Sequence, residues 1–131
     1  MILLDTNVVI AFLNGNKTVA ERIADNIEKI ALSALVVAEL NYGAKASQNA
    51  ARNLDKLTRL LDVVQTVPFD LECAESFGTI KSKLRSIGKP TGEVNTLIAA
   101  TAIAHKAVLV TGNKKHFERI DGLRIEMWPL S

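Results

Sequence analysis

The chain lacks most of the features that would make its chemistry obvious. It has 131 residues and a single cysteine, Cys73. One thiol forms no internal disulfide, and no His–Cys pair stands at zinc-ligand spacing, so a disulfide scaffold and a zinc finger are both excluded. Aromatic residues make up 5% of the chain, too few for a base-stacking platform. The seven glycines are scattered. Neither GxGxxG nor GxxxxGK[ST] occurs, which argues against a dinucleotide or P-loop enzyme. Charge is nearly balanced at +2, compatible with nucleic acid but no argument for it. No apolar run approaches the ~20 residues of a membrane helix, and no basic segment precedes the first apolar run. The expectation is a cytoplasmic protein with no membrane contact.

With 48% hydrophobic and 23% charged residues, the chain has an ordinary globular composition and reads as one domain over 1–131. Short apolar runs alternate with helical patterns. Strands are expected near Ile2–Asp5, Ile30–Leu32, Val63–Val67, Val108–Thr111 and Arg124–Met127. Between them come helices near Val8–Leu13, then one capped by Asn16 or Thr18 with Ile23, Ile27 and Ile30 on one face. Ser33 caps a helix over Ala34–Ala46, and Asn49–Leu61 follows. Asp70 caps a long helix closed by Gly88, the segment Lys89-Pro90-Thr91-Gly92 is a loop, and Glu93–Lys106 is an alanine-rich helix. A short helix is expected around Lys114–Ile120. This alternation implies an α/β fold with a mostly parallel central sheet flanked by helices. Cys73 reads as a core position, and Trp128 as the residue that docks the chain end.

Four groups of polar residues interrupt the apolar pattern. Asp5 ends the first strand, where parallel α/β sheets hold ligands. Glu39 lies in an otherwise apolar helix, either at its solvent edge or aimed at a site. Asn95 sits in the first turn after Gly92, where asparagine also serves as an ordinary capping residue. Thr111-Gly112-Asn113 ends the fourth strand and is a turn signal in its own right. Converging carboxylate and amide oxygens suit hard cations such as Mg²⁺ or Mn²⁺. His105 at the end of an apolar helix decorates its C-terminus, and His116 belongs to the surface.

In order and spacing, LLDTN (3–7), SALVVAEL (33–40), RSIGKPTG (85–92), LIAATAIAH (97–105), LVTGNKKHF (109–117) and GLRIEMW (122–128) carry a resemblance. Together they resemble the PIN-domain family, and within it the VapC-type toxins of bacterial toxin–antitoxin pairs. The resemblance spans nearly the whole chain. It implies a Mg²⁺- or Mn²⁺-dependent endoribonuclease acting on RNA, a cognate antitoxin and a homodimer. It also assigns catalytic roles to Asp5, Glu39, Asn95 and Asn113, with Asp5, Glu39 and Asn95 as metal ligands and Thr6, Asn7 and Thr111 in support. Asn95 departs from the family, which has aspartate there; this implies a weakened nuclease or, alternatively, a silenced module that binds RNA or antitoxin without cleaving. The lysines Lys89, Lys114 and Lys115 are steering charges for an RNA backbone or simply solvated. A phosphoacceptor domain, the other fold with an aspartate after a strand, needs an acidic pair before Asp5 that this chain lacks.

Overall fold

A computed structural model describes residues 1–89 and 91–130. Pro90, expected in a loop, lies outside the described residues. The elements run β1 (Ile2–Leu4), α1 (Thr6–Leu13), α2 (Lys17–Asp25), β2 (Ile30–Ser33), α3 (Ala34–Ala46) and α4 (Ala50–Leu61). After these come β3 (Gln65–Val67), α5 (Leu71–Ser86), α6 (Glu93–Ala104), β4 (Val108–Thr111), a 3-10 turn over Lys114–His116, and β5 (Arg124–Met127).

The five strands are ordered β3-β2-β1-β4-β5. All four pairings are parallel, with Leu3 opposite Ala31 on one side and Leu109 on the other. Helices cover both faces, which is why β1, β2 and β4 are continuous apolar runs rather than alternating ones. Strand order departs from β1 in both directions. A sheet of this kind opens a crevice at the carboxyl end of the strand where the order reverses, and here that strand is β1.

Local chemistry sets the element boundaries. Asp5 leaves β1 and turns to cap α1, its carboxylate accepting from Thr6 N. The first strand is therefore one residue shorter than expected and the first helix two residues longer. Asn16, not Thr18, caps α2, accepting from Val19 N. That helix ends at Asp25, where the Asn26 amide bonds back to Arg22 O, so Ile27 falls in the turn and is partly exposed. Val63 and Val64 close α4 by bonding to Leu60 O, which leaves only Gln65–Val67 for the third strand. The expected helix over Lys114–Ile120 is a single 3-10 turn.

The C-terminal segment is fixed as anticipated. Trp128 is 2% exposed, its N–H bonds to Thr111 O, and the Arg22 guanidinium lies 5.7 Å from its ring. In α6 the buried residues are mostly small, which lets the helix approach the sheet closely. Its two buried hydroxyls are satisfied within the helix, Thr96 by Gly92 O and Thr101 by Leu97 O.

Candidate metal centre at the sheet edge

The crevice at the end of β1 is built from two strand ends, helix α3 and the start of α6. Asp5, at the end of β1, is 4% exposed. Its Oδ1 accepts from Thr6 N at 2.9 Å and its Oδ2 from Thr111 Oγ1 at 2.8 Å. Thr111 is the last residue of β4, the strand paired directly with β1, and is fully buried. The Thr6 hydroxyl donates to Glu39 Oε1 at 2.5 Å. A single threonine therefore bridges the two carboxylates, its backbone to one and its hydroxyl to the other.

Glu39 comes from α3, which starts directly after β2. The Ser33 hydroxyl accepts from Val36 N and fixes that start. Glu39 sits about one and a half turns further on, half-buried and turned toward α1 rather than to open solvent. The structure thus places Glu39 against the start of α1, beside Thr6.

Asn113 follows β4. Its N–H donates to Thr111 Oγ1, so Glu39, Thr6, Asp5, Thr111 and Asn113 form one continuous hydrogen-bonded chain. The Asn113 side-chain amide turns instead to the His116 ring, Nδ2 to Nε2 at 3.0 Å. His116 is exposed, as expected, but this contact was not foreseen. The His116 carbonyl in turn accepts from Thr91 Oγ1, tying the loop before α6 to the turn after β4.

That tie brings the start of α6 to the same edge of the sheet. Asn95 lies in its first turn, half-buried, with Nδ2 over Gly92. No hydrogen bond joins Asn95 to Asp5 or Glu39 among the described residues. Glu93, two residues earlier, pairs with Lys81 on α5 and takes no part in the crevice. Asn7 is exposed, and no side-chain hydrogen bond joins it to either carboxylate among the described residues. Lys89, Lys114 and Lys115 are exposed.

Among the described residues, neither Asp5 nor Glu39 has a cationic side chain within ion-pair distance. A buried carboxylate with no counter-charge, next to a second one, is costly and rare. The side-chain ligand atoms that Asp5, Glu39, Thr6 and Thr111 offer here are all oxygens. Each oxygen of Asp5 accepts one hydrogen bond and keeps a further lone pair. This donor set fits a small hard cation, as carboxylate-based Mg²⁺ sites do.

The comparisons place this geometry in a family. The PIN domain family matches residues 2–123. Over 127 residues the chain is 35% identical to the tRNA(fMet)-specific endonuclease VapC of Shigella flexneri, covering 96% of each chain. It superimposes on VapBC2 from Rickettsia felis bound to a promoter DNA fragment with a TM-score of 0.92 at 33% identity, covering 98% of this chain and 99% of the other. DNA-bound VapBC from Salmonella typhimurium gives a TM-score of 0.93 at 33% identity, with 97% of each chain covered. The chain belongs to the PIN domain family, and its similar relatives include VapC ribonucleases.

Proposed function

We propose that this chain is a toxin-type endoribonuclease that cleaves RNA phosphodiesters with a divalent metal at Asp5, Glu39 and Asn95. The observation that supports it best is the pair of carboxylates bridged by Thr6 at the switch point of the sheet, with no cationic side chain at ion-pair distance among the described residues. Asp5 and Glu39 hold the ion, Mg²⁺ or Mn²⁺. Thr6 and Thr111 orient the carboxylates by donating to them, Asn95 adds a neutral ligand from the start of α6, and Asn113 completes the catalytic set from the turn after β4. When bound, the ion supplies Lewis acidity that activates water and offsets phosphate charge. The three lysines at the rim, Lys89, Lys114 and Lys115, steer the RNA backbone.

The partner is a cognate antitoxin, since the structural neighbours are toxin–antitoxin complexes. A cleft of about 220 Å³ beside Glu39, with Ile10, Leu13, Leu40 and Leu57 among its walls, has the apolar character that an amphipathic helix fills. A basic residue on that helix would be drawn to Asp5 and Glu39. The chain works in the cytoplasm as a homodimer, and the apolar surface of α3 and α4 serves either that dimer or the antitoxin.

The test compares the chain with its Asn95→Asp and Asp5→Asn variants in RNA cleavage, with Mg²⁺, Mn²⁺ or a chelator. Cleavage should need the metal and disappear in Asp5→Asn. It should rise in Asn95→Asp, because an anionic ligand replaces a neutral one of the same size. Asn95→Asp should also arrest growth in cells without the antitoxin. Absence of cleavage in both the parent and Asn95→Asp, with metal bound, would overturn the nuclease reading and leave a binding module.

A further inference from the structure

A second group of ligand-bearing side chains lies at the far end of α6, about 15 Å along the helix from Asn95. Asp70, Cys73 and His105 each offer a donor atom, and the three atoms lie within 4.8 Å of one another. The sequence spacing hides this. Asp70 and Cys73 are three residues apart at the start of α5, while His105 caps the end of α6, and the antiparallel packing of the two helices brings them together.

Each of the three has unused bonding capacity. Asp70 Oδ1 accepts from Cys73 N at 3.1 Å, which leaves Oδ2 facing His105 Nε2 at 4.0 Å. That is too long for a hydrogen bond. His105 Nε2 is buried and has no hydrogen-bond partner among the described residues. A buried polar atom left unpaired costs stability and calls for a missing partner. Cys73 is fully buried; its Sγ makes a long contact with Pro68 O at 3.8 Å and also interacts with the Asp70 carboxylate.

We propose that Cys73 Sγ, His105 Nε2 and Asp70 Oδ2 form a binding site for a borderline-soft divalent ion of the Zn²⁺ class, separate from the oxygen-lined crevice. One sulfur, one imidazole nitrogen and one carboxylate oxygen make a zinc-type donor set, with the fourth position taken by water on the exposed side of Asp70. Tetrahedral bonds of about 2.0–2.3 Å put ligand atoms about 3.3–3.8 Å apart, so the donors need to close by only about 1 Å. Charge also balances: one thiolate and one carboxylate cancel the ion's double charge. On binding, the Cys73 thiol releases its proton to solvent, His105 binds as the neutral imidazole, and nothing is oxidised or reduced. Such an ion staples the start of α5 to the end of α6.

The experiment uses the full chain, reduced and stripped of metal, titrated with Co²⁺ as a coloured stand-in and then with Zn²⁺. One equivalent of Co²⁺ should give a thiolate-to-metal charge-transfer band and tetrahedral visible bands, both bleached by Zn²⁺. Cys73→Ser should lose the charge-transfer band. His105→Gln, a change at a partly exposed position that keeps the core intact, should weaken binding at least tenfold and abolish the rise in Tm produced by Zn²⁺. Asp5→Asn should leave the spectrum unchanged, which separates this site from the crevice. A spectrum without the thiolate band, or equal binding by the parent and His105→Gln, would overturn the proposal.

Discussion

The Thr111 hydroxyl donates to Asp5 Oδ2 and accepts from Asn113 N, so one side chain holds both a buried carboxylate and the turn after β4. Thr111→Val keeps the shape and removes both bonds. The stranded carboxylate and amide should lower stability by about 1–3 kcal/mol, read from urea unfolding, while Thr111→Ser should restore most of it. Equal stability of Thr111→Val and the parent would mean that water replaces the hydroxyl freely. Asp70 gives a pH signature of its own. The backbone N–H of Cys73, the Cys73 thiol and the charge of His105 hold its carboxyl below the ordinary carboxylate range. A depressed folded-state pKa contributes stability that is fully present above the unfolded-state value and is lost as pH falls through the folded one. Asp70→Ser keeps a capping oxygen but does not titrate. The stability difference between parent and Asp70→Ser should therefore shift against the parent below about pH 4. Acid unfolding of both proteins checks it, and parallel curves down to pH 2 would refute it.

At the scale of elements, α3 shows how a cap serves a site. Ser33 ends β2 and starts α3, and its buried hydroxyl accepts from Val36 N. Ser33→Ala should cost about 1 kcal/mol, within the usual range for a lost N-cap. Ser33→Asn should cost more than Ser33→Ala, despite being a good cap residue, because the 1% exposed position has no room for a longer amide. Denaturant midpoints of the two variants decide this, and the reverse order would show that the cap outweighs packing here. The succession of strands and helices was legible in the sequence because each is a short apolar run or an amphipathic stretch ended by a recognisable cap. What was not legible follows from competition between neighbours. Val63 and Val64 have strand propensity but bond back to Leu60 and finish α4. Lys114–Ile120 has helical composition, yet only Lys114–His116 forms a turn. Asp5, Glu39 and Thr111 could be read as a site because strand ends of a parallel sheet converge. The contact of His116 with Asn113, and the meeting of Asp70, Cys73 and His105, depend on helix packing and side-chain direction that no spacing rule encodes.

For the whole molecule, the strand order places a charged crevice at the centre of the fold. β1 is flanked by β2 and β4, and its carboxyl end meets α3 and the turn after β4 around Asp5. Among the described residues, the protein thereby carries two carboxylates, bridged by Thr6, with no cationic side chain at ion-pair distance, and this costs the metal-free fold stability. Functional sites commonly trade stability for activity in this way. Substitution and metal binding should each relieve this cost. Asp5→Asn removes the charge and should leave the metal-free protein at least as stable as the metal-free parent, because repulsion between Asp5 and Glu39 is gone. Adding Mg²⁺ or Mn²⁺ should stabilise the parent by about 2.7 kcal/mol at a hundredfold excess over Kd, a rise in Tm of roughly 10 °C for a chain of this size. In Asp5→Asn the same addition should raise Tm by much less. Thermal unfolding of both proteins, with and without metal, tests the two together. A metal-free Asp5→Asn protein clearly less stable than the parent would show that the carboxylate is held for structure, with its two hydrogen bonds outweighing the repulsion.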